Sequence, residues 1–401
     1  MRIRWRSLGI AAAVVALAAG AARPAAAQQA TSELQSFRVP GWSFTPGVAV
    51  GAQYDSNVGI AGPDQFGKTA SDRLMEIEPM GQLEFFSART SFSSGYRGSV
   101  RRYFELSDLD GIDHRMYASL RHKVTRRVTF FFNESFQQEP TTDALELNGV
   151  PFRRVGSRYN MFTGGVDARL TRSLDLSTLY EMTFVDFLSE GVSLSDGFVH
   201  GGHTELTHRF GGRLSAGAEY GIRRAFLNTG DQEFTYHNTG GVLRYRAGEQ
   251  TSLDLSGGLT YLMDHARDET RTGPYVRAAL VHRGARATLG AEYSRNYTPS
   301  FTLSGAQRSH EARVYVDMPF SRNRFYVQES AAFRRSDPFG LLEPALNSIR
   351  VQSTLGYAIR RWLRLEGNYT FSTQDNRLAG GRVTRHLAGV QLVVSEPMRI
   401  Q

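Results

Sequence analysis

The densest group of ligand-type side chains in the chain is His200-Gly-Gly-His203-Thr-Glu205. Imidazole and carboxylate are ordinary zinc ligands, so this spacing raises a metal site first. In an extended segment alternate residues point to opposite faces, so His203 and Glu205 share a face while His200 looks away. Only a bulge at Gly201-Gly202 would gather all three around one ion. The plainer expectation is no metal and no cofactor. Nucleophilic catalysis would need a base and an orienting group converging on a serine or histidine. Ten histidines and many serines are present, but no local motif marks any of them. No catalytic residue is assigned, and the chain is expected not to be an enzyme.

The second chemistry is charge. Arg97, Arg101, Arg121, Arg169, Arg223, Arg244, Arg246, Arg277, Arg313 and Arg350 lie in alternating segments, on the face opposite the apolar one. Carboxylates such as Glu78, Asp167, Glu181, Glu205, Glu219 and Asp254 share that face. Most of these charges are expected to pair across strands and line a hydrated wall. The basic members outnumber the acidic ones, which would make such a wall mildly attractive to anions. Arg244, Arg246, Arg277 and Arg313 come from adjacent hairpins and would form one basic stretch of it. The arginines are spread over every hairpin and form no single stripe, so no nucleic-acid partner is expected.

These residues have to be positioned by strands. Leu174-Asp-Leu-Ser-Thr-Leu-Tyr-Glu-Met-Thr-Phe184 and Leu253-Asp-Leu-Ser-Gly-Gly-Leu-Thr-Tyr261 place an apolar residue at every second position. The pattern recurs from about Phe44 to Val394 with no helix-period segment between. Tight turns are predicted at 87–90, 124–127, 170–173, 210–213, 247–250, 283–286, 320–323 and 359–362. Longer polar loops fall near 55–72, 106–112, 139–156, 188–196, 227–232, 263–271, 298–307, 335–345 and 374–383, rich in Asp, Gly, Pro, Ser and Asn. Nine loops and eight turns imply eighteen strands. Short turns on one side and long loops on the other are the asymmetry of an outer-membrane barrel, with the short turns periplasmic. The fold class expected is therefore all-β, a transmembrane antiparallel up-and-down β-barrel. A propeller lacks its blade signatures here, and a soluble sandwich does not accommodate so many long strands in one meander.

The apolar face would meet lipid, with Leu255 and Leu259 on it and Ser256 facing the lumen. Tyr220, Tyr261, Tyr293 and Tyr369 lie seven to eleven residues beyond their periplasmic turns, the height of an outer aromatic girdle. Residues 1–27 read as a signal peptide: Arg2, Arg4 and Arg6, an apolar run from Leu8 to Ala22, and Ala25-Ala26-Ala27 before the cut. Its removal would lower the net charge of +8 to about +4. The remaining expected divisions are a short periplasmic segment 28–42, the barrel 43–396 and a tail 397–401. The chain has no cysteine, so neither a disulfide nor a lipid-modified cysteine is available. The expected location is the outer membrane of a Gram-negative cell, with outer-membrane lipid as the immediate partner.

The first strand, Val48-Ala-Val-Gly-Ala-Gln-Tyr-Asp-Ser-Asn-Val58, resembles the opening of a β-barrel porin family often encoded beside exopolysaccharide synthesis and export genes. The resemblance is carried by the signal peptide, the Tyr54-Asp55-Ser56-Asn57 step and turns of the form Leu170-Thr-Arg-Ser-Leu174. In strand number the chain is also similar to the eighteen-stranded alginate exporter. The resemblance implies a passive outer-membrane conduit for an anionic polysaccharide, working with other export-system proteins and inserted by the barrel-assembly machinery. One departure is the ending, Ser395-Glu-Pro-Met-Arg-Ile-Gln401, where such barrels usually close on an aromatic residue. The residues themselves leave open a small-solute porin, or a closed structural or adhesive barrel whose loops bind a partner. What decides is whether loops such as 139–156 fold into the lumen. Asp55 and Asn57 are expected to bond their own backbone and start the first loop, with a calcium site including Asp64 as the alternative.

Overall fold

The computed structural model describes residues 40–400 except 63–68, 146, 148, 189–193, 229–231, 302–304, 321–323, 340–344 and 377–380. The expected signal peptide 1–27, most of the segment 28–42 and Asp64 lie outside these residues.

Eighteen strands form one antiparallel meander. The first six are β1 (Gly41–Asp55), β2 (Asp72–Phe86), β3 (Thr90–Tyr103), β4 (Gly111–Lys123), β5 (Val128–Glu139) and β6 (Ser157–Arg169). Next come β7 (Leu174–Phe187), β8 (Gly197–Phe210), β9 (Leu214–Leu227), β10 (Gln232–Arg246), β11 (Thr251–Asp264) and β12 (Glu269–Arg283). The last are β13 (Thr288–Pro299), β14 (Ala306–Phe320), β15 (Phe325–Pro338), β16 (Leu346–Arg360), β17 (Leu363–Asn376) and β18 (Gly381–Ser395). Each strand pairs with the next, and β1 pairs with β18 from Gly47↔Ser395 to Asp55↔Leu387. The sheet closes on itself, which removes its edges. Beyond Ser395 the chain does not leave the wall: β19 (Met398–Ile400) pairs with Trp42–Phe44 and prolongs the closing seam.

Strands of 12 to 15 residues, at ~3.3 Å rise and ~45° tilt, reach about 28–35 Å along the barrel axis, more than the ~25 Å apolar band of a membrane barrel. The alternation sorts faces as read from the sequence. Val48 and Val50 are exposed on the outside while Ala49 between them is fully buried. Leu259 and Tyr261 point outward; Thr260 and Leu262 are buried inward. Exposed apolar side chains run from β1 around to β18, far more than a soluble monomer leaves uncovered. On the inner wall tyrosines lie over glycines of a neighbouring strand, as Tyr315 does over Gly290 and Tyr326 over Gly356. A Cβ at either glycine would overlap the ring, so the small residue is required there.

Candidate functional site

The lumen is crossed by the connection between β5 and β6, residues 140–156. Its described residues contain no hairpin; a 3-10 turn, Thr142–Ala144, gives it a compact tip. Thr142 holds the two limbs together: its hydroxyl donates to the Pro151 carbonyl at 2.5 Å and accepts from the Arg153 N–H at 2.7 Å. The tip reaches the barrel seam, 242 residues away in sequence at its most distant bond.

There the Arg385 guanidinium stands between two carboxylates, 2.7 Å from Asp55 and 3.0 Å from Asp143, all three side chains buried. Ser372 donates to Asp143 at 3.2 Å, and Arg350 donates to the Asp143 backbone carbonyl. Burial pushes the Asp143 carboxyl up, but the Arg385 and Arg350 charges and hydrogen bonds from Thr141 and Arg385 outweigh it. The group is held below the ordinary carboxylate range and is ionised at neutral pH. Gln374 adds a double contact, accepting from the Phe152 N–H at 2.7 Å and donating to the Val150 carbonyl at 3.2 Å. Arg334 reaches the Leu145 carbonyl at 3.4 Å. The returning limb is tied by Arg154, which donates to the carbonyls of Val58 and Leu109 and covers the Tyr103 ring.

Gly149 sits at the bend with φ +74° against the buried Gln307 of β14, where a Cβ would meet the Gln307 amide. Both the backbone conformation and the close approach call for glycine. Apolar residues of the same loop, Leu145, Val150 and Val155, join a cluster with Val185, Leu227, Phe234, Tyr236, Leu262 and Phe301. The loop is thus docked on two sides of the lumen, by buried charge at the seam and by apolar packing across β6–β14.

The ten arginines singled out from the sequence are distributed over this wall. Six meet carboxylates: Arg97–Glu78 at 3.8 Å, Arg101–Asp113 at 2.7 Å, Arg121–Asp167 at 2.5 Å, Arg169–Asp175 at 3.6 Å, Arg223–Glu181 at 3.7 Å and Arg244–Glu205 at 2.5 Å. Arg350 serves the loop latch. Arg313 lies opposite Glu292 on the neighbouring strand. Among the described residues no ion pair involves Arg246 or Arg277. Within the basic stretch formed by Arg244, Arg246, Arg277 and Arg313, Arg244 is neutralised by Glu205 and Arg313 faces Glu292.

The histidine cluster divides as the alternation requires. His200 is on the outside, stacked on Phe198 and Phe226. His203 and Glu205 face inward with Glu219, their ligand-type atoms within 4.8 Å of one another. Glu205 and Glu219 are directly opposed on β8 and β9, an unfavourable pairing unless compensated. Arg244 compensates Glu205, while Tyr275 donates to Glu219 at 2.7 Å and His203 lies 3.6 Å from it. Asp55 and Asn57 behave as the first-loop starters expected: the Asn57 N–H donates to Asp55 at 2.9 Å, and the Asn57 amide donates to Ala61 and Thr384 carbonyls. Reading the step from its near neighbours missed the role of Asp55 as a partner of Arg385.

Tyr220, Tyr261, Tyr293 and Tyr369 all project outward. Their partners were not read from the sequence: Tyr220, Tyr293 and Tyr369 are hydrogen-bonded to His237, His310 and His386 on the next strand, at 2.8, 3.1 and 2.9 Å. Tyr96 makes the same bond with His114 at 3.0 Å. Tyr261 instead packs its ring near His237.

No protein-family model matches the chain, and no curated protein matches its sequence. Among solved structures, the chain is similar to OpdQ of Pseudomonas aeruginosa at 10% identity and a TM-score of 0.42, over 90% of this chain and 98% of that one. It is similar to OccAB4 of Acinetobacter baumannii at 10% identity and a TM-score of 0.45, over 90% and 99% of the two chains. It is also similar to the outer membrane protein OpdK of Pseudomonas aeruginosa at 12% identity and a TM-score of 0.41, over 89% and 98%.

Proposed function

We propose that the protein is an outer-membrane channel for small solutes, with the short turns in the periplasm and the long loops outside. The observation that carries this reading is the loop 140–156 docked across the lumen by Asp143, Arg385 and Asp55. An inward loop narrows a wide barrel to a constriction, leaving a passage bounded by hydrated side chains. It weighs against a polymer conduit, because a continuous polysaccharide would have to displace a buried charge cluster. An export role beside polysaccharide-synthesis proteins rests on the sequence resemblance alone. Arg246 and Arg277, in no ion pair among the described residues, favour a mild preference for anionic solutes.

The test is a purified sample in a planar bilayer under a salt gradient. Wild type is expected to conduct with a reversal potential on the anion side, and Arg246→Glu with Arg277→Glu should shift it toward cations. Liposome swelling should report entry of monosaccharides and exclusion of long oligosaccharides. A protein that opens no channel would favour a closed structural barrel, and free entry of long oligosaccharides would restore the polymer conduit.

A further inference from the structure

The hydrogen-bonded Tyr–His pairs of the outer face repeat around the barrel, and nearer the long-loop end an arginine–carboxylate couple accompanies each. Three of these couples are one to one: Arg102 with Asp110 at 2.7 Å, Arg382 with Asp375 at 2.8 Å, and Arg224 with Glu233. The fourth, on β13–β15, is not. Arg308 and Arg335 share the single carboxylate of Asp337, at 3.0 and 2.9 Å. Arg295 lies directly opposite His310 in the register and in no ion pair among the described residues. Two guanidiniums thus share one carboxylate, with Arg295 beside them across His310. The Nε atoms of Arg295 and Arg308 are buried with no hydrogen-bond acceptor.

A groove of about 350 Å³ opens here on the outside of the barrel. Arg308, Arg335, His310 and Asp337 line it together with Tyr293, Phe333 and Glu311, whose carboxylate is engaged by Arg334 at 3.4 Å. Phe333 and Tyr293 are 42% and 40% exposed, on the same outward face as the apolar band below. The groove therefore has a cationic upper part and an aromatic lower part that runs into the membrane-matching surface.

We propose that this groove binds the phosphorylated head group of an outer-leaflet lipid, of the lipid A type. Its phosphate would be held by Arg308 and Arg335, with its acyl chains along Phe333 and Tyr293. A phosphate monoester carries about −1.5 to −2 charges, which complements the excess of guanidinium over carboxylate where Arg308 and Arg335 share Asp337. The one-to-one couples elsewhere offer no such imbalance. A free phosphate would use the guanidiniums but leave the aromatic wall idle. The proposal rests on the reading of the chain as an outer-membrane barrel with its long loops outside.

The experiment is native mass spectrometry of the full-length protein in detergent. The probes are bisphosphorylated lipid A, the same lipid with its phosphates removed, and inorganic phosphate. Wild type should retain bisphosphorylated lipid A and not the dephosphorylated form. Arg308→Gln with Arg335→Gln should lower retention by about tenfold or more, the loss of two charge-assisted contacts. Arg382→Gln, in a one-to-one couple, should leave it unchanged, and Phe333→Ala should weaken it while every charge remains. Heat-shifted migration on gels reports whether each variant is folded, and the wild-type comparison of the two lipids stands without any variant. Equal retention of both lipids, or displacement of lipid A by equimolar inorganic phosphate, would overturn the proposal. Fractionation of wild type away from the outer membrane would instead overturn the reading beneath it, whatever lipid binds in detergent.

Discussion

The loop across the lumen is held at its two sides by different physics. At the seam, Asp143, Arg385 and Asp55 form a buried ionic cluster in which each oxygen has a required donor. Across β6–β14, Leu145, Val150 and Val155 sink among Phe234, Tyr236 and Leu262 with no directional demand. Apolar burial supplies affinity that tolerates small displacements. A buried arginine between two carboxylates admits one docked position, since moving the loop leaves a charge unpaired in a poorly solvated place. The contrast teaches that the charged side sets where the loop sits, and the apolar side sets how firmly it stays.

Removing the charged side should have the largest effect. Arg385→Ala leaves Asp55 and Asp143 buried without their cation, a loss of about 3–5 kcal/mol for such clusters. The loop should undock, and single-channel recordings should show higher conductance with frequent switching between levels. A variant that conducts like wild type would mean that the apolar side alone holds the loop. A smaller effect is expected from the other side. Leu145→Ala should cost about 2–5 kcal/mol, at the lower end because a loop tip can settle into the vacated space. It should shorten the closed dwell times without adding a new conductance level. Should it instead reproduce the Arg385→Ala record, the two sides do the same job and the contrast fails.

Acidity gives the finest adjustment. The Asp143 carboxyl titrates below its ordinary value of 3.8 when the loop is docked. A group with a lowered native pKa contributes its full stabilisation above the undocked value and loses it as pH falls through the docked one. Conductance should therefore be flat from neutral pH down to the ordinary aspartate range and rise only below it. Opening between pH 7 and 5 would place the controlling group elsewhere.

Much of the barrel was legible because it depends on neighbours in the chain. The turns Leu170-Thr-Arg-Ser173 and Phe210-Gly-Gly-Arg213 lie where strands end, at Arg169 and Phe210, and each long loop falls between the strands expected to flank it. Alternation about Leu259, Thr260 and Tyr261 assigned faces correctly for the same reason. The site was only partly legible. Arg350 stood out as a lumen arginine, yet its role at the Asp143 carbonyl depends on a segment 207 residues away. Glu219 was assigned to the lumen, but nothing in His200–Glu205 indicates that it meets His203, because that contact depends on the β8–β9 register.

Strand number, the two faces and the alternation of short turns with long loops are set locally along the chain. Each follows from a period of two along an extended chain and from turn residues acting over a few positions. The partners came from the folded sheet: Arg385 with Asp143, Tyr220 with His237, and two outer arginines, Arg308 and Arg335, sharing one Asp337. Those meetings are set by register, curvature and closure of the whole sheet, and by the direction a loop takes once the ring is closed. Such quantities belong to all eighteen strands together, and no local stretch of residues carries them.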